Sequence, residues 1–175
     1  MDDITFDVGD GCFLYTVRAI IIKDDCVLMV KNESSPYYYS VGGRVKLGET
    51  SETAVLRETY EETNLVFEID RLAFIHENFF VSSLFSRESC PCHEIGFFYL
   101  MKPHEDIGSI ICNSVAEGGA EESLHWLPID KLSEYPIFPV FYKSRLNELS
   151  DKVGHIVTRG DAVDSVSIHT SWRKS

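Results

Sequence analysis

GGRVKLGETSETAVLRETYEETNL, residues Gly42–Leu65, opens on a glycine pair and carries Glu49, Glu52, Glu58, Glu61 and Glu62 within one short span. Between Thr50 and Thr63 there is neither Gly nor Pro, and Ala54, Leu56, Arg57 and the glutamates suit a helix, with Thr50 or Ser51 as its N-cap. At 3.6 residues per turn, Glu58, Glu61 and Glu62 fall within an arc of ~100°, while Val55, Leu56, Thr59 and Thr63 form an adjoining core face. Like charges at i,i+4 cost a helix a few tenths of a kcal/mol, and more where they are partly desolvated. A hard divalent cation taking oxygen ligands would remove that penalty. A solvated acidic helix face is the simpler account, and spacing alone leaves both open.

Outward from this helix, the chain reads mainly as strands. FLYTVRAIII (13–22) and CVLMV (26–30) are two strands joined by a tight turn at Lys23-Asp24-Asp25, and YYYSV (37–41) is a short aromatic strand leading into the glycines. After Leu65, VFEIDRLAFIHENFF alternates as one long strand or two broken ones, SSLFSRESCPC reads as a loop, and HEIGFFYLM (93–101) returns to strand. Residues 104–122 read mainly as loop with a weak strand at SIIC. LHWLPI (124–129) is a strand running into a short helix near Asp130–Glu134, and FPVFYKSRLNEL (138–149) is a second amphipathic helix with Pro139 near its start. Strands, helix, strands and helix, without regular βαβ alternation, predict a mixed α/β (α+β) fold. The expected organisation is an N-terminal segment (1–12), a single domain (13–150) and a partly ordered C-terminal extension (151–175).

The 175 residues can bury a substantial core, and 44% hydrophobic with 25% charged residues is an ordinary globular balance. The longest apolar run, AIII at 19–22, is far short of a bilayer span, and the acidic MDDITFD is no signal peptide, so a cytoplasmic protein with no membrane partner is expected. A net charge of −12 argues against a duplex nucleic acid partner, but not against a small phosphorylated ligand held through a metal. Cys12, Cys26 and Cys112 are scattered. Cys90-Pro91-Cys92-His93 lacks a second CxxC or HxxxH to complete four zinc ligands, so reduced thiols are expected.

The series Gly43, five residues, Glu49, seven residues, Arg57-Glu58, two residues, Glu61-Glu62, one residue, Asn64-Leu65 resembles the signature of the Nudix hydrolase (MutT-like) family, with every charged position matched. Asn64 stands where that pattern has glycine, and Asn is the next-best residue in the left-handed conformation of a helix C-cap. Thr59 replaces an aliphatic residue, and its hydroxyl can bond back to the Val55 carbonyl. Val41 stands where many members carry proline. The resemblance implies an α/β/α sandwich with a mixed central sheet and a catalytic loop-helix-loop at 43–65. It also implies hydrolysis of a nucleoside diphosphate linked to another moiety, with Mg²⁺ or Mn²⁺ as cofactor. Glu58 and Glu62 would be the principal metal ligands, Glu61 a direct or water-bridged ligand, and the carbonyl of Gly42 or Gly43 the uncharged one.

Further roles follow from that placement. Arg57 pairs with Glu61 at i,i+4 and with the companion acid Glu49, which favours a role orienting carboxylates over the alternative of a phosphate clamp. Arg44 and Lys46 are candidates for phosphate, with solvated loop charges as the alternative. Glu94 is the first candidate for general base, Glu61 the second and Glu77 a weaker third. Tyr39 and Phe80 are candidate walls for the base of a small nucleotide. The family's subgroup markers beyond the motif are absent from FFVSS (79–83), which favours a nucleoside triphosphate or similar small nucleotide. The competing reading is a non-catalytic nucleotide-sensing or protein-binding domain, which would have no need of the full glutamate set. A homodimer is compatible with the family.

Overall fold

The computed structural model describes residues 2–33, 35–82, 90–109, 114–115, 121–160 and 162–168. Its strands in chain order are β1 (Thr5–Val8), β2 (Gly11–Ile20), β3 (Ile22–Lys23), β4 (Cys26–Asn32), β5 (Tyr38–Ser40), β6 (Gly42–Arg44), β7 (Ile69–Ser82) and β8 (Cys90–Met101). They continue with β9 (Ser114–Val115), β10 (Glu121–Pro128), β11 (Ile137–Phe138), β12 (Gly154–Arg159) and β13 (Ala162–Ile168). The helices are α1 (Ser51–Thr63) and the single turn α2 (Tyr142–Arg145). The fold is therefore mixed α+β, as the element pattern predicts.

Among the described residues the strands form two sheets. The first runs β1-β2-β8-β7-β12-β13, with β6 also on β2. It is mixed: β2 pairs parallel with β8, β8 antiparallel with β7, and β7 parallel with β12. The second runs β11-β5-β4-β10-β9, with β3 paired to β4. The β3–β4 hairpin closes through Asp24 and Asp25 at φ 48° and 58°. Two successive left-handed residues make the turn whose twist matches that of the strands it joins.

The alternation of β2, β7 and β8 sorts residues onto two faces of the first sheet. On one face Val17, Ala19 and Tyr99 pack with Val55 and Ala54 of α1 and with Leu28 and Val30 of the second sheet. On the other, Ile20, Phe74, Phe98 and Ile156 pack with Met29, Leu127, Phe141 and Tyr142. Beyond that second core the same face turns polar, carrying Thr16, His76, Asn78, Glu94 and Thr158, all buried.

Several local expectations are corrected. The helix expected over 138–149 shrinks to α2 and a 3-10 turn at Leu146–Glu148, because Ile137–Phe138 adds in parallel to β5. Cys90-Pro91-Cys92, expected in a loop, begins β8. Cross-strand pairing to Val81 and Ser82 extends that strand, and Pro91 sits near its start, where a missing N–H is tolerated. The sequence expected to trail the domain supplies β12, which lies between β7 and β13. The weak strand expected at SIIC (109–112) runs outside the described residues after Ser109, which ends a 3-10 turn.

Candidate active site

Helix α1 carries the acidic cluster. Thr50 caps it, its hydroxyl accepting from the Thr53 N–H at 3.1 Å. Asn64 ends it at φ 57°, its N–H donating to the Tyr60 carbonyl at 2.8 Å. The buried stripe is Ala54, Val55, Thr59 and Thr63. Leu56, expected on that face, is 37% exposed, while the smaller Ala54 takes the packed position. The Thr59 and Thr63 hydroxyls donate to the carbonyls four residues earlier, each at 2.6 Å, so neither leaves an unsatisfied group in the core.

Arg57 is held on all sides. Its Nε and Nη2 donate to the two Glu49 oxygens at 2.9 and 3.0 Å, a forked pair. Nη1 donates to Glu58 at 2.5 Å and Glu61 at 3.2 Å, and Nη2 also reaches the Arg44 carbonyl at 3.1 Å. The Arg57 bond holds the Glu49 carboxyl below its ordinary range. Glu49 also accepts from the Lys46 N–H at 3.0 Å, tying the loop before α1 to the helix.

Glu58 and Glu62 sit against the glycine pair. The Gly42 N–H donates to both Glu62 oxygens at 3.4 and 3.3 Å. Gly42 has φ 130°, and a Cβ there would come within 2.2 Å of the Val17 carbonyl oxygen, which excludes any other residue. A Cβ on Gly43 would strike the Glu58 carboxyl at 2.5 Å, so glycine is what lets that carboxylate approach the chain. Burial pushes Glu62 up to about 8; the Arg18 charge and the Gly42 N–H oppose this, and Glu122 and Glu58 add to it. Burial likewise raises Glu58, against the pull of Arg57.

Glu94 lies on the buried polar face. Thr16 donates to its Oε1 at 2.8 Å and Asn78 Nδ2 to its Oε2 at 3.0 Å. The Thr158 hydroxyl donates to Asn78 Oδ1 at 2.7 Å. Its single proton thus spent, it accepts from His76 Nε2 at 2.8 Å, which fixes the His76 tautomer. Burial holds His76 down at about 4, so the ring is neutral at pH 7. Arg18 joins the two halves of the site: Nη1 donates to the Gly42 carbonyl at 2.8 Å, and Nη2 lies 3.8 Å from Glu94.

The remaining candidates are placed as follows. Tyr39 donates its hydroxyl to Glu122 at 2.5 Å, beside Glu62. Arg44 faces Asp3 at 3.4 Å. Phe80 packs on Cys12, Leu14, Cys90 and Cys92 rather than against the glutamates. Glu61 is half exposed and held by Arg57. Glu77 occupies the opposite sheet face from Glu94, with His155 at 2.7 Å and His93 at 3.8 Å.

Arg18, Thr16, Asn78, Thr158 and Glu122 escaped the sequence reading. Thr16 and Arg18 left a signal, two polar residues at i,i+2 within an otherwise apolar strand, and His76 and Asn78 left the same one. Glu122 left none, because its relation to Tyr39 exists only through the pairing of β4 with both β5 and β10.

The class of protein these features define is a loop-helix-loop acidic site on a mixed α+β scaffold, and known proteins share it. The NUDIX domain family model matches residues 13–145, so the chain belongs to that family. An ADP-ribose pyrophosphatase from Methanocaldococcus jannaschii is 37% identical over 65 residues, covering 35% of this chain and 38% of the relative. A MutT-like protein from Streptomyces ambofaciens is 31% identical over 64 residues, covering 36% of this chain and 42% of the relative. These matches span less than half of either relative. Among solved structures, a MutT protein from Bacillus halodurans superposes with TM-score 0.60 at 17% identity over 90% of this chain and 99% of that one. A MutT protein from Methanosarcina mazei does so with TM-score 0.50 at 18% identity over 78% and 91%. Both likenesses concern the fold.

Proposed function

We propose that this protein hydrolyses the pyrophosphate linkage of a small nucleotide, a nucleoside diphosphate joined to another moiety, using Mg²⁺ or Mn²⁺. The observation that carries this reading is the convergence of Glu58 and Glu62 on the Gly42–Gly43 backbone, with burial raising both carboxyls. Two desolvated carboxyls with glycines at van der Waals range fit a hard divalent ion, which takes oxygen ligands and tolerates open positions for water and phosphate. Glu58 and Glu62 would hold it, with Glu61 and a Gly42 or Gly43 carbonyl as further donors. Bound there, the ion would neutralise phosphate charge and acidify a water.

The chain's own groups do the rest. Arg57, saturated by Glu49, Glu58 and Glu61, orients carboxylates. Arg18 has one arm on the Gly42 carbonyl and supplies positive charge between that backbone and Glu94. Glu94, fixed by Thr16 and Asn78, retains lone pairs to accept a proton from attacking water, and Glu61 is the second candidate for that role. Tyr39 is a candidate wall for the nucleotide, and Lys46 and Arg44 flank the loop where phosphate would enter. No described helix is long and apolar enough to cross a membrane. The free thiols Cys12, Cys26, Cys90 and Cys92 suit a reducing, cytoplasmic compartment.

The test is formation of nucleoside monophosphate, resolved by chromatography, from a panel including nucleoside triphosphates and ADP-ribose, with Mg²⁺, with EDTA, and with Glu62→Gln. Metal-dependent turnover lost in the variant supports the hydrolase and names its substrate. A nucleotide that raises the melting temperature while nothing on the panel turns over would replace the hydrolase with a nucleotide sensor.

A further inference from the structure

The thiols of Cys12, Cys90 and Cys92 converge at one end of the first sheet. Their sulfur atoms all lie within 4.8 Å of one another, and all three residues are buried. The fold brings them together in two ways. Cys90 and Cys92 are two apart in β8 and so share a face, and Cys12 is the direct partner of Cys92 across the parallel β2–β8 pairing. Linear spacing around Cys90 offers too few ligands for a metal. The third comes from 80 residues away.

We propose that Cys12, Cys90 and Cys92 form a binding site for a soft monovalent d¹⁰ cation of the Cu(I) class, separate from the acidic site on α1. Thiolate sulfur selects soft ions over Mg²⁺ or Ca²⁺. Structural zinc takes four ligands, and among the described residues this group offers three. The adjacent His93 is no fourth ligand: its ring lies on the opposite sheet face, stacked on Phe79 with centroids 4.3 Å apart. Three sulfurs, with no fourth donor among the described residues, match trigonal coordination. With a metal–sulfur distance of about 2.3 Å, trigonal sulfurs stand roughly 4 Å apart. The Cys12 and Cys92 sulfurs, at 2.8 Å, would open by about 1 Å through side-chain rotation. Each thiol that ligates releases its proton, so a three-thiolate complex of a monovalent ion forms with loss of three protons.

Two simpler accounts explain less. Small buried cysteines often serve as ordinary core residues, but such a role does not require a third sulfur from a distant chain position to meet two neighbours on one strand. A disulfide would join two of them and leave the third unexplained. Phe80 and Leu14 pack around the cluster, as suits a site shielded from water.

The experiment is an anaerobic titration of the reduced full chain with Cu(I) against a chromophoric Cu(I) chelator, followed by X-ray absorption on the loaded protein. A single equivalent withheld from the chelator, with three sulfur neighbours and no nitrogen or oxygen, is expected. Cys12→Ser, Cys90→Ser and Cys92→Ser should each lose affinity by about tenfold or more, and Cys26→Ser should lose none. The proposal is overturned by the absence of a withheld equivalent, by one that persists in all three variants, by fewer than three sulfurs, or by a preference for Zn²⁺. Should a variant fail to fold, the absorption spectrum of the unaltered protein decides. Hydrolysis with Mg²⁺, assayed separately, distinguishes failure here from failure of the hydrolase reading.

Discussion

Glu62 shows what a single carboxylate costs a metal-free site. Its pKa is raised from an ordinary 4.5 to about 8, so between those values the folded chain binds more protons than the unfolded one, and stability must fall as pH rises. Below pH 4.5 the group is protonated in both states and costs nothing. Above 8 it is ionised in both, and the full penalty applies. In EDTA, urea unfolding of the unaltered protein should show a loss on the order of 1–3 kcal/mol between pH 5 and 8, a figure discounted for the partial exposure of Glu62. Glu62→Gln should flatten that slope and stabilise the metal-free protein at pH 8, while lowering Mg²⁺-dependent turnover by about 10²-fold or more. A variant that kept the slope would assign the penalty to another group. Arg57→Ala should destabilise by about 2 kcal/mol, because Glu49 and Glu58 lose their common partner and the site is one-fifth exposed. Arg57→Lys should recover only part, since a point charge cannot reproduce the fork on Glu49. Chemical denaturation of both variants checks the order.

At the scale of the element, α1 is a helix whose two ends are set by identifiable residues. Thr50→Ala should cost about 1 kcal/mol through the lost cap to Thr53. Asn64→Gly should be neutral or stabilising, whereas Asn64→Val should cost about 1–2 kcal/mol, because φ 57° is a left-handed conformation that a β-branched residue resists. Thermal melting of the three variants, ranked, tests the assignment. This element was largely legible beforehand. Helix start, left-handed stop, the Thr59 back-bond and the shared face of the glutamates all depend on residues within a few positions of one another. The misplacement of Leu56 has the same local character: a 100° rotation predicts a face, but only packing decides that Ala54 rather than Leu56 fits beneath it.

For the molecule as a whole, β12 connects the end of the chain to the site. Thr158 of β12 orients Asn78 of β7, and Asn78 fixes one oxygen of Glu94 in β8. If Glu94 is the base proposed above, Thr158→Val should lower kcat by about tenfold with little change in KM, because the base is misoriented while substrate binding stays intact. Restoration by Thr158→Ser would identify the hydroxyl as the cause. Equal changes in kcat and in global stability across both variants would reduce Thr158 to a packing residue.

The part of the protein legible in its sequence was written in short intervals. The spacing from Gly43 to Leu65, the capped helix, the tight turn at Asp24-Asp25 and the mixed α+β character were all carried by neighbours at separations of one to eight. Which strands became partners was settled only when the sheets packed. That packing placed Arg18 between Gly42 and Glu94, Glu122 beside Tyr39, Thr158 behind Asn78 and Cys12 against Cys92. The physical reason is that helical contacts are fixed by a local repeat of the backbone. Contacts between strands are fixed by a register chosen through burial of whole faces, and residues 80 apart leave no trace of it until the sheet has formed.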